Sequence, residues 1–330
     1  MASRVEGDSD QAQLATCFFQ ASEVMKPDDL HMVREKLRVF AEKQVQASRP
    51  IAFVTSGGTT VPLERRTVRF IDNFSSGNRG AATTECLLKS GYSVVFAHRQ
   101  GSAFPFIRKQ MASIGQVVPS AAWWAEGGAA AERETAGLEL DELFLPLPFQ
   151  TIFQYLYLLR ECAAALRPVG RQAIFLLAAA VSDFYIPADE MEGNKIQSSK
   201  DGLELRLRNV PKFLGLLRSW APDAYIVSFK LETNENILQA KAAGAIKKYR
   251  VDAVVANNLL TYKDIVHIVR ASSTRDEVVI ESECIQGDET QGVLVRGLDV
   301  NSIERSPETT DIEPQLVQTL KQLHEVHIRG

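Results

Sequence analysis

The sequence predicts an α/β fold in which a mostly parallel sheet is flanked by helices and carries a small antiparallel extension. Three observations predict it. Short apolar runs, among them Ile51–Val54, Tyr92–Ala97 and Ala173–Leu177, each stop at small or polar residues, as buried parallel strands do where they end in loops. Segments of helical periodicity alternate with these runs, which is the order of right-handed crossover units. In the second half, Leu203–Leu207 alternates with charges, and a polar turn separates Ile265–Arg270 from Glu277–Ile280. Both patterns suit antiparallel pairing.

The chain has 330 residues, room for one large or two smaller domains, and a single sheet with an extension is the favoured organisation. Hydrophobic residues make up 45% and charged residues 24%, ordinary for a globular protein. A net charge of -4 and a pI near 5.9 argue against nucleic acid as the main partner. The cysteines, Cys17, Cys86, Cys162 and Cys284, form no CxxC pair and have no histidine at ligand spacing. They are expected to be reduced thiols in the cytoplasm, with no disulfide framework and no protein-bound metal site. No run of eighteen apolar residues exists, so no membrane span is expected. The opening MASRVEGDSD lacks the apolar core of a signal peptide.

Residues 1–26 are polar and mixed, the composition of a mobile tail, and residues 27–330 are expected to form one α/β domain. A helix is predicted over 28–47, opened by Pro27 and Asp28-Asp29 and striped by Leu30, Val33, Leu37, Phe40 and Ala41. Strand Ile51–Val54 follows, then an extended run at Thr67–Ile71, a helix at Arg79–Ser90 stopped by Gly91, and strand Tyr92–Ala97. The 110–140 stretch, rich in Ala, Gly and Glu and holding Trp123-Trp124, reads as an excursion from the domain. Beyond it come a helix at Thr151–Leu166, strand Ala173–Leu177, a polar loop at Gly193–Ser199 and a helix from Pro211 to Trp220. The chain continues with strand Ala224–Phe229, helix Asn236–Tyr249 and strand Val251–Ala256. A hairpin at 265–280, a loop over Gly287–Pro307 and a closing amphipathic helix, Glu313–Ile328, complete the reading.

In an open parallel sheet, ligands bind beyond the carboxyl ends of the strands. Four predicted strand ends carry small or polar residues: Thr55–Thr59, Ala178–Asp183, Phe229–Thr233 and Asn257-Asn258. The turn Asn73–Gly80, NFSSGNRG, leads into a helix, and serine hydroxyls with bare amides at a helix start suit an anion. The same turn also suits a plain helix cap. Asp183 fits a turn cap, a divalent-ion ligand or a partner for a ribose hydroxyl. Arg65, Arg66 and Arg69 suit a phosphate or carboxylate but are also ordinary in a loop. There is neither GxGxxG nor GxxxxGKS/T, so the dinucleotide and P-loop fingerprints are missing. No histidine stands beside a serine or cysteine in a nucleophile motif. The residues alone therefore point to a nucleotide-using α/β enzyme that works by binding anions and stabilising charge.

The runs VTSGGTTVPLE, VRFIDNFSSGNRGA, FLLAAAVSDFYIP, MEGNKIQSS, VPKFL and SFKLET resemble the phosphopantothenoylcysteine synthetase family, also called phosphopantothenate–cysteine ligase, in its eukaryotic single-function form. The resemblance spans about Ile51 to Asn258 and is thin across 110–140. It implies a Rossmann-like sheet and a ligase of coenzyme A synthesis. The family joins 4'-phosphopantothenate to L-cysteine through an acyl-nucleotidylate, with release of pyrophosphate and then attack by the cysteine amine. It implies Mg2+ and ATP, or CTP as in bacterial members, and a homodimer with shared active sites. By matching positions, Gly57, Ser75, Gly77 and Gly80 would cradle the nucleotide phosphates, and Phe229 and Asn257 would lie around the base and ribose. Asn73 would contact the phosphopantothenate carboxyl and donate to the developing oxyanion. Ala179, Ala180 and Asp183 would line the same pocket. Lys195 would stabilise charge at the α-phosphate from a mobile flap, and Arg69 would reach a neighbouring subunit's phosphopantothenate. Lys195-Ile196-Gln197-Ser198 replaces the bacterial KIKK and favours ATP over CTP. Lys241, Lys247 and Lys248 occupy the helix where bacterial members carry spaced lysines, without a clear register. A catalytically silent paralogue and a nicotinamide-dependent oxidoreductase are the competing readings. Intact Asn73 and Lys195 weigh against the first, the missing glycine fingerprint against the second.

Overall fold

The computed structural model describes residues 2–109, 137–197, 202–233, 235–274, 277–282 and 293–330. Helices α1 (Ala2–Ala21) and α2 (Leu30–Gln46) come first. Strand β1 (Ile51–Ser56) follows, then a small hairpin of β2 (Thr60–Pro62) and β3 (Phe70–Asp72). Next are α3 (Asn78–Lys89), β4 (Ser93–Arg99), β5 (Phe144–Phe149), α4 (Ile152–Leu166) and β6 (Ala173–Leu177). The two-residue strands β7 (Phe184–Tyr185) and β8 (Arg208–Asn209) precede α5 (Phe213–Trp220), β9 (Tyr225–Glu232), α6 (Glu235–Tyr249) and β10 (Ala253–Asn258). Strands β11 (Ile265–Ala271), β12 (Val279–Ser282), β13 (Val293–Arg296) and β14 (Leu298–Glu304) lead to the last helix, α7 (Glu313–Arg329).

Eight strands form one sheet in the order β14-β11-β10-β9-β6-β1-β4-β5. The six from β10 to β5 are parallel, and β11 and β14 add an antiparallel edge. This is the predicted α/β class with its antiparallel extension. Burial on both faces explains why the central strands read as unbroken apolar runs. Ile51, Phe53, Phe175 and Ile226 point into the core under α2, α4, α5 and α6, whereas Ala52, Val54, Ile174 and Val227 point into the core under α3 and α7. The period of two sorts each strand onto both cores.

Several expectations are corrected. Residues 1–26, expected to be a mobile tail, hold helix α1, and Phe18 and Phe19 are buried. The Phe18 ring lies 5.7 Å from that of Phe153 and 5.3 Å from that of Phe213. One apolar cluster in a polar segment is enough to dock it. Strand β5, FLPLPF, carries two prolines that hide it in the sequence. It is an edge strand among the described residues, where a missing N–H facing solvent is tolerated. No strand forms at 203–207; only β8 forms, just after it. The expected 265–280 hairpin does not form either. Strand β11 pairs with β14, and β12 pairs with β13, so 287–307 contains two strands rather than a loop. Residues 110–136, with Trp123-Trp124, and Cys284 lie outside the described residues. No helix among the described residues is long and apolar enough to cross a membrane.

Candidate active site

In chain order the parallel strands grow outward from β1 to β4 and β5, then resume on the other side of β1 with β6, β9 and β10. The order therefore reverses between β1 and β6, and a crevice opens at the carboxyl ends of the strands at such a switch point. Here it is partly bridged. Gly57 O accepts from Ala180 N at 2.8 Å, Ala180 O accepts from Thr59 N at 3.0 Å, and Thr55 Oγ1 accepts from Ala179 N at 3.1 Å. Beside this bridge lies a cavity of about 940 Å³. Its wall includes the 74–79 turn, the strand ends of β6, β9 and β10, and one side of α6. The strand ends singled out in the sequence thus come together because β1, β6, β9 and β10 are consecutive in the sheet.

Ser75, Gly77, Ala179, Ala180, Asp183, Phe229 and Asn257 all line the cavity. Gly77, the residue before α3, lies in the left-handed region at φ 79°, which favours glycine, and has no side chain of its own to cap the helix. Asn78 N–H donates to Ser76 Oγ at 3.5 Å, and the Arg79 and Gly80 amides, without a partner among the described residues, can meet an anion. Asn257 is buried, and its Oδ1 has no hydrogen-bond partner among the described residues. An orphaned buried acceptor on a cavity wall is a ready partner for a ligand donor. Asp183 pairs with Lys212 at 2.9 Å, and Asp183 O accepts from Val210 N at 2.8 Å. Burial pushes the Tyr155 phenol on the wall up to about 12, so it stays neutral.

Five expected residues do not line the cavity. Gly57 and Gly80 are packing positions behind it. A methyl group on Gly80 would lie 2.5 Å from Ser56 Cβ, so this glycine lets α3 close on the end of β1. Asn73 follows β3, its N–H donating to Thr59 O at 3.1 Å, one residue before Phe74 on the wall. Arg69 and Lys195 sit at the far end of the β2–β3 hairpin. Arg69 Nη1 donates to Glu64 Oε1 at 2.8 Å and to Ile196 O at 3.0 Å.

A family profile described as the DNA/pantothenate metabolism flavoprotein C-terminal domain matches residues 160–280. The chain is 42% identical over 288 residues to phosphopantothenate–cysteine ligase 2 of Oryza sativa subsp. japonica, covering 84% of this chain and 81% of the relative. The chain belongs to the phosphopantothenate–cysteine ligase family. It is also 41% identical over 279 residues to the Homo sapiens phosphopantothenate–cysteine ligase, covering 80% and 90% of the two chains. A solved structure of a Cab2 mutant in complex with phosphopantothenate-cysteine matches with a TM-score of 0.78 at 32% identity, covering 94% of this chain and 98% of that one.

For this member of the ligase family, the structure adds cations that sequence reasoning left unplaced. Lys241 and Lys248, seven positions apart on α6, both line the cavity, whereas Lys247 points away and donates to Val278 O at 3.0 Å. Only the packing of α6 reveals that choice, because all three are exposed lysines on one helix. Arg79 and Lys212 also line the wall. Arg79 is held at 2.8 Å by Glu313, whose own carboxyl burial pushes up against the pull of Arg79. Lys212 is reached from α1, since Gln11 Oε1 accepts its backbone N–H at 3.1 Å. No sequence signal linked that helix to the site.

Proposed function

We propose that the chain joins 4'-phosphopantothenate to L-cysteine in coenzyme A biosynthesis. The observation that carries the nucleotide step is one cavity wall holding both the α3 start, with its Arg79 and Gly80 amides open, and the orphaned Asn257 Oδ1. A nucleoside triphosphate satisfies both: phosphate oxygens accept from the open amides of α3, and a ribose hydroxyl or base amino group donates to Asn257. Lys241 and Lys248 supply compensating charge. ATP is the proposed nucleotide and CTP the alternative. Asp183 is the one carboxylate on the wall among the described residues and is paired with Lys212. No group of three or more His, Cys, Asp or Glu suited to a metal occurs among the described residues. That donor set suits Mg2+ arriving on the triphosphate, where it offsets phosphate charge, rather than a resident ion.

In the proposed first step a phosphopantothenate carboxylate oxygen bonds to the α-phosphorus and pyrophosphate leaves, giving an acyl-nucleotidylate. In the second, the cysteine amine attacks the acyl carbon, the nucleoside monophosphate departs, and the nitrogen loses a proton. Lys195 stabilises charge in the first step, and the Asn73 amide donates to the oxyanion in the second. The working unit is proposed to be a homodimer with shared sites. Val68, Phe70, Phe74 and Phe184 are exposed apolar side chains near the cavity and the β2–β3 hairpin, as an interface would require. Arg69 keeps Nε and Nη2 without partners among the described residues for a neighbour's substrate. Cys17, Cys86 and Cys162 are unpaired, in keeping with a cytoplasmic enzyme.

The test is pyrophosphate release with phosphopantothenate and magnesium, using ATP or CTP, with and without cysteine. Release that needs phosphopantothenate, with product that needs cysteine, supports the ligase. Asn257→Leu should raise the nucleotide KM about tenfold, the scale of one lost buried hydrogen bond. Folded protein that releases no pyrophosphate with either nucleotide would refute the proposal.

A further inference from the structure

Glu64 has no part in the reaction as proposed, yet its surroundings are unusual. The carboxylate is fully buried in the turn after β2. Oε2 accepts from Val68 N at 3.2 Å and from Arg69 N at 2.9 Å. Oε1 accepts from Arg69 Nη1 at 2.8 Å and from Ile196 N at 3.3 Å. Burial pushes this carboxyl up, but the amides of Arg69, Ile196 and Val68 and the Arg69 guanidinium outweigh it and hold the group below the ordinary carboxylate range.

The same turn grips the 188–196 loop at further points. Arg65 N donates to Glu192 O at 2.8 Å, Arg65 Nε donates to Ala188 O at 2.9 Å, and Arg69 Nη1 donates to Ile196 O at 3.0 Å. Ile196 packs against the main core, while Lys195, its neighbour, is exposed. The backbone is thus pinned one residue from a lysine whose side chain is left at the surface. The other end of the hairpin carries Asn73, tied through its N–H to Thr59 O at 3.1 Å.

Only a carboxylate fits the Glu64 position. Its two oxygens accept from four donors, whereas a glutamine would turn an NH2 group toward backbone amides or a guanidinium. Burying an ionised group is costly unless it is fully paired, and here every donor comes from this turn or from the Ile196 amide. We infer that Glu64 is a positioning residue that sets the place of Lys195 relative to Asn73 by holding the backbone of Ile196. The inference rests on the ligase reading and on the role of Lys195 in it.

The test is a double-mutant cycle on the full chain with Glu64→Gln and Lys195→Ala, read by pyrophosphate release and by hydrogen exchange. Glu64→Gln should lower kcat about tenfold with the nucleotide KM changed less than about twofold, and exchange over 192–197 should quicken while β1, β4 and β6 stay protected. In the Lys195→Ala background, Glu64→Gln should cause no further loss. Losses that multiply in the double variant, or unchanged exchange over 192–197, would overturn the role. If Glu64→Gln does not fold, Glu64→Asp, one methylene too short to reach the Ile196 amide, is read in the same way. Wild-type protein without pyrophosphate release would overturn the ligase reading and this role together. An active wild type with multiplying losses would overturn only the role of Glu64.

Discussion

The α-carbon of Gly58 lies directly under the carbonyl of Asn73, so closely that a methyl group on Gly58 would sit 1.6 Å from that oxygen. The loop after β1 and the residue proposed to hold the oxyanion therefore touch through bare backbone. No positive φ is involved at Gly58, so the demand for glycine is one of space alone. Backbone on both sides leaves no flexible neighbour to give way. Gly58→Ala should displace Asn73 and cut product formation at least about a hundredfold, while pyrophosphate release falls less. Comparing the two rates in one preparation checks this, and equal losses would count against Asn73 acting in the second step.

Arg69 does two jobs in the proposed enzyme, and one variant should expose both. Arg69→Ala leaves buried Glu64 without its cation and Ile196 O without its donor. We expect a fall in Tm of several degrees, since an unpaired buried charge is destabilising. If the remaining guanidinium nitrogens also reach a neighbour's substrate, the KM for phosphopantothenate should rise about tenfold more than that for the nucleotide, the scale of one hydrogen bond to a charged group. Equal rises in both would leave the arginine a purely structural role.

Helix α1 makes a sharp prediction about the N-terminus. Phe18 contacts the rings of Phe153, Tyr185 and Phe213, and Tyr157 Oη donates to Phe19 O at 3.1 Å. Phe18→Ala should cost about 3–5 kcal/mol, as large-to-small changes in aromatic cores do. Removal of residues 1–26 should lower Tm further and weaken substrate binding through Lys212, which loses its bond to Gln11. A truncated protein with the parent's Tm would show that the helix does not dock in solution.

Acid should weaken the fold through buried His324 and half-buried His98. His324 is fully buried, with Nδ1 2.9 Å from Tyr92 Oη and Nε2 2.9 Å from Arg171 O. The carbonyl can only accept, so Nε2 carries the proton and Nδ1 accepts from the phenol. Burial lowers the imidazole from 6.5 to about 4, and burial does the same to His98. As pH falls, the unfolded chain therefore takes up the proton before the folded one. The contribution of neutral His324 is complete above pH 6.5, drains away between 6.5 and about 4, and amounts to at most ~3 kcal/mol. Unfolding midpoints followed across that range should fall, and His324→Gln should flatten part of the fall. Identical slopes in the two proteins would exclude His324 as the cause.

Much of the fold was written in local pattern. Strands β1, β4, β6, β9 and β10 are legible because a strand buried on both faces needs an unbroken apolar run, and β6, β9 and β10 end in residues that line the cavity. The glycines and serines of the 75–80 turn likewise announce a helix start, which the structure places at Asn78 beside the cavity. What was illegible depends on partners distant in sequence. Strand β5 is acceptable only because its prolines lie at an edge. The pairing of β11 with β14 skips over β12 and β13, and α1 docks on rings contributed from α4, β7 and α5.

By itself the sequence determined the fold class, the family and the strand ends that the structure gathers around one end of the sheet, because these follow from periodicity and from contiguous motifs. Only the tertiary structure decided which of those residues meet. It turned Lys241 and Lys248 toward the cavity and Lys247 away, left Asn257 Oδ1 without a partner among the described residues, and sank Glu64 where it holds Ile196. The reason is physical: burial and pairing are properties of surfaces brought together across long stretches of chain, and no local pattern encodes which surface a side chain will face.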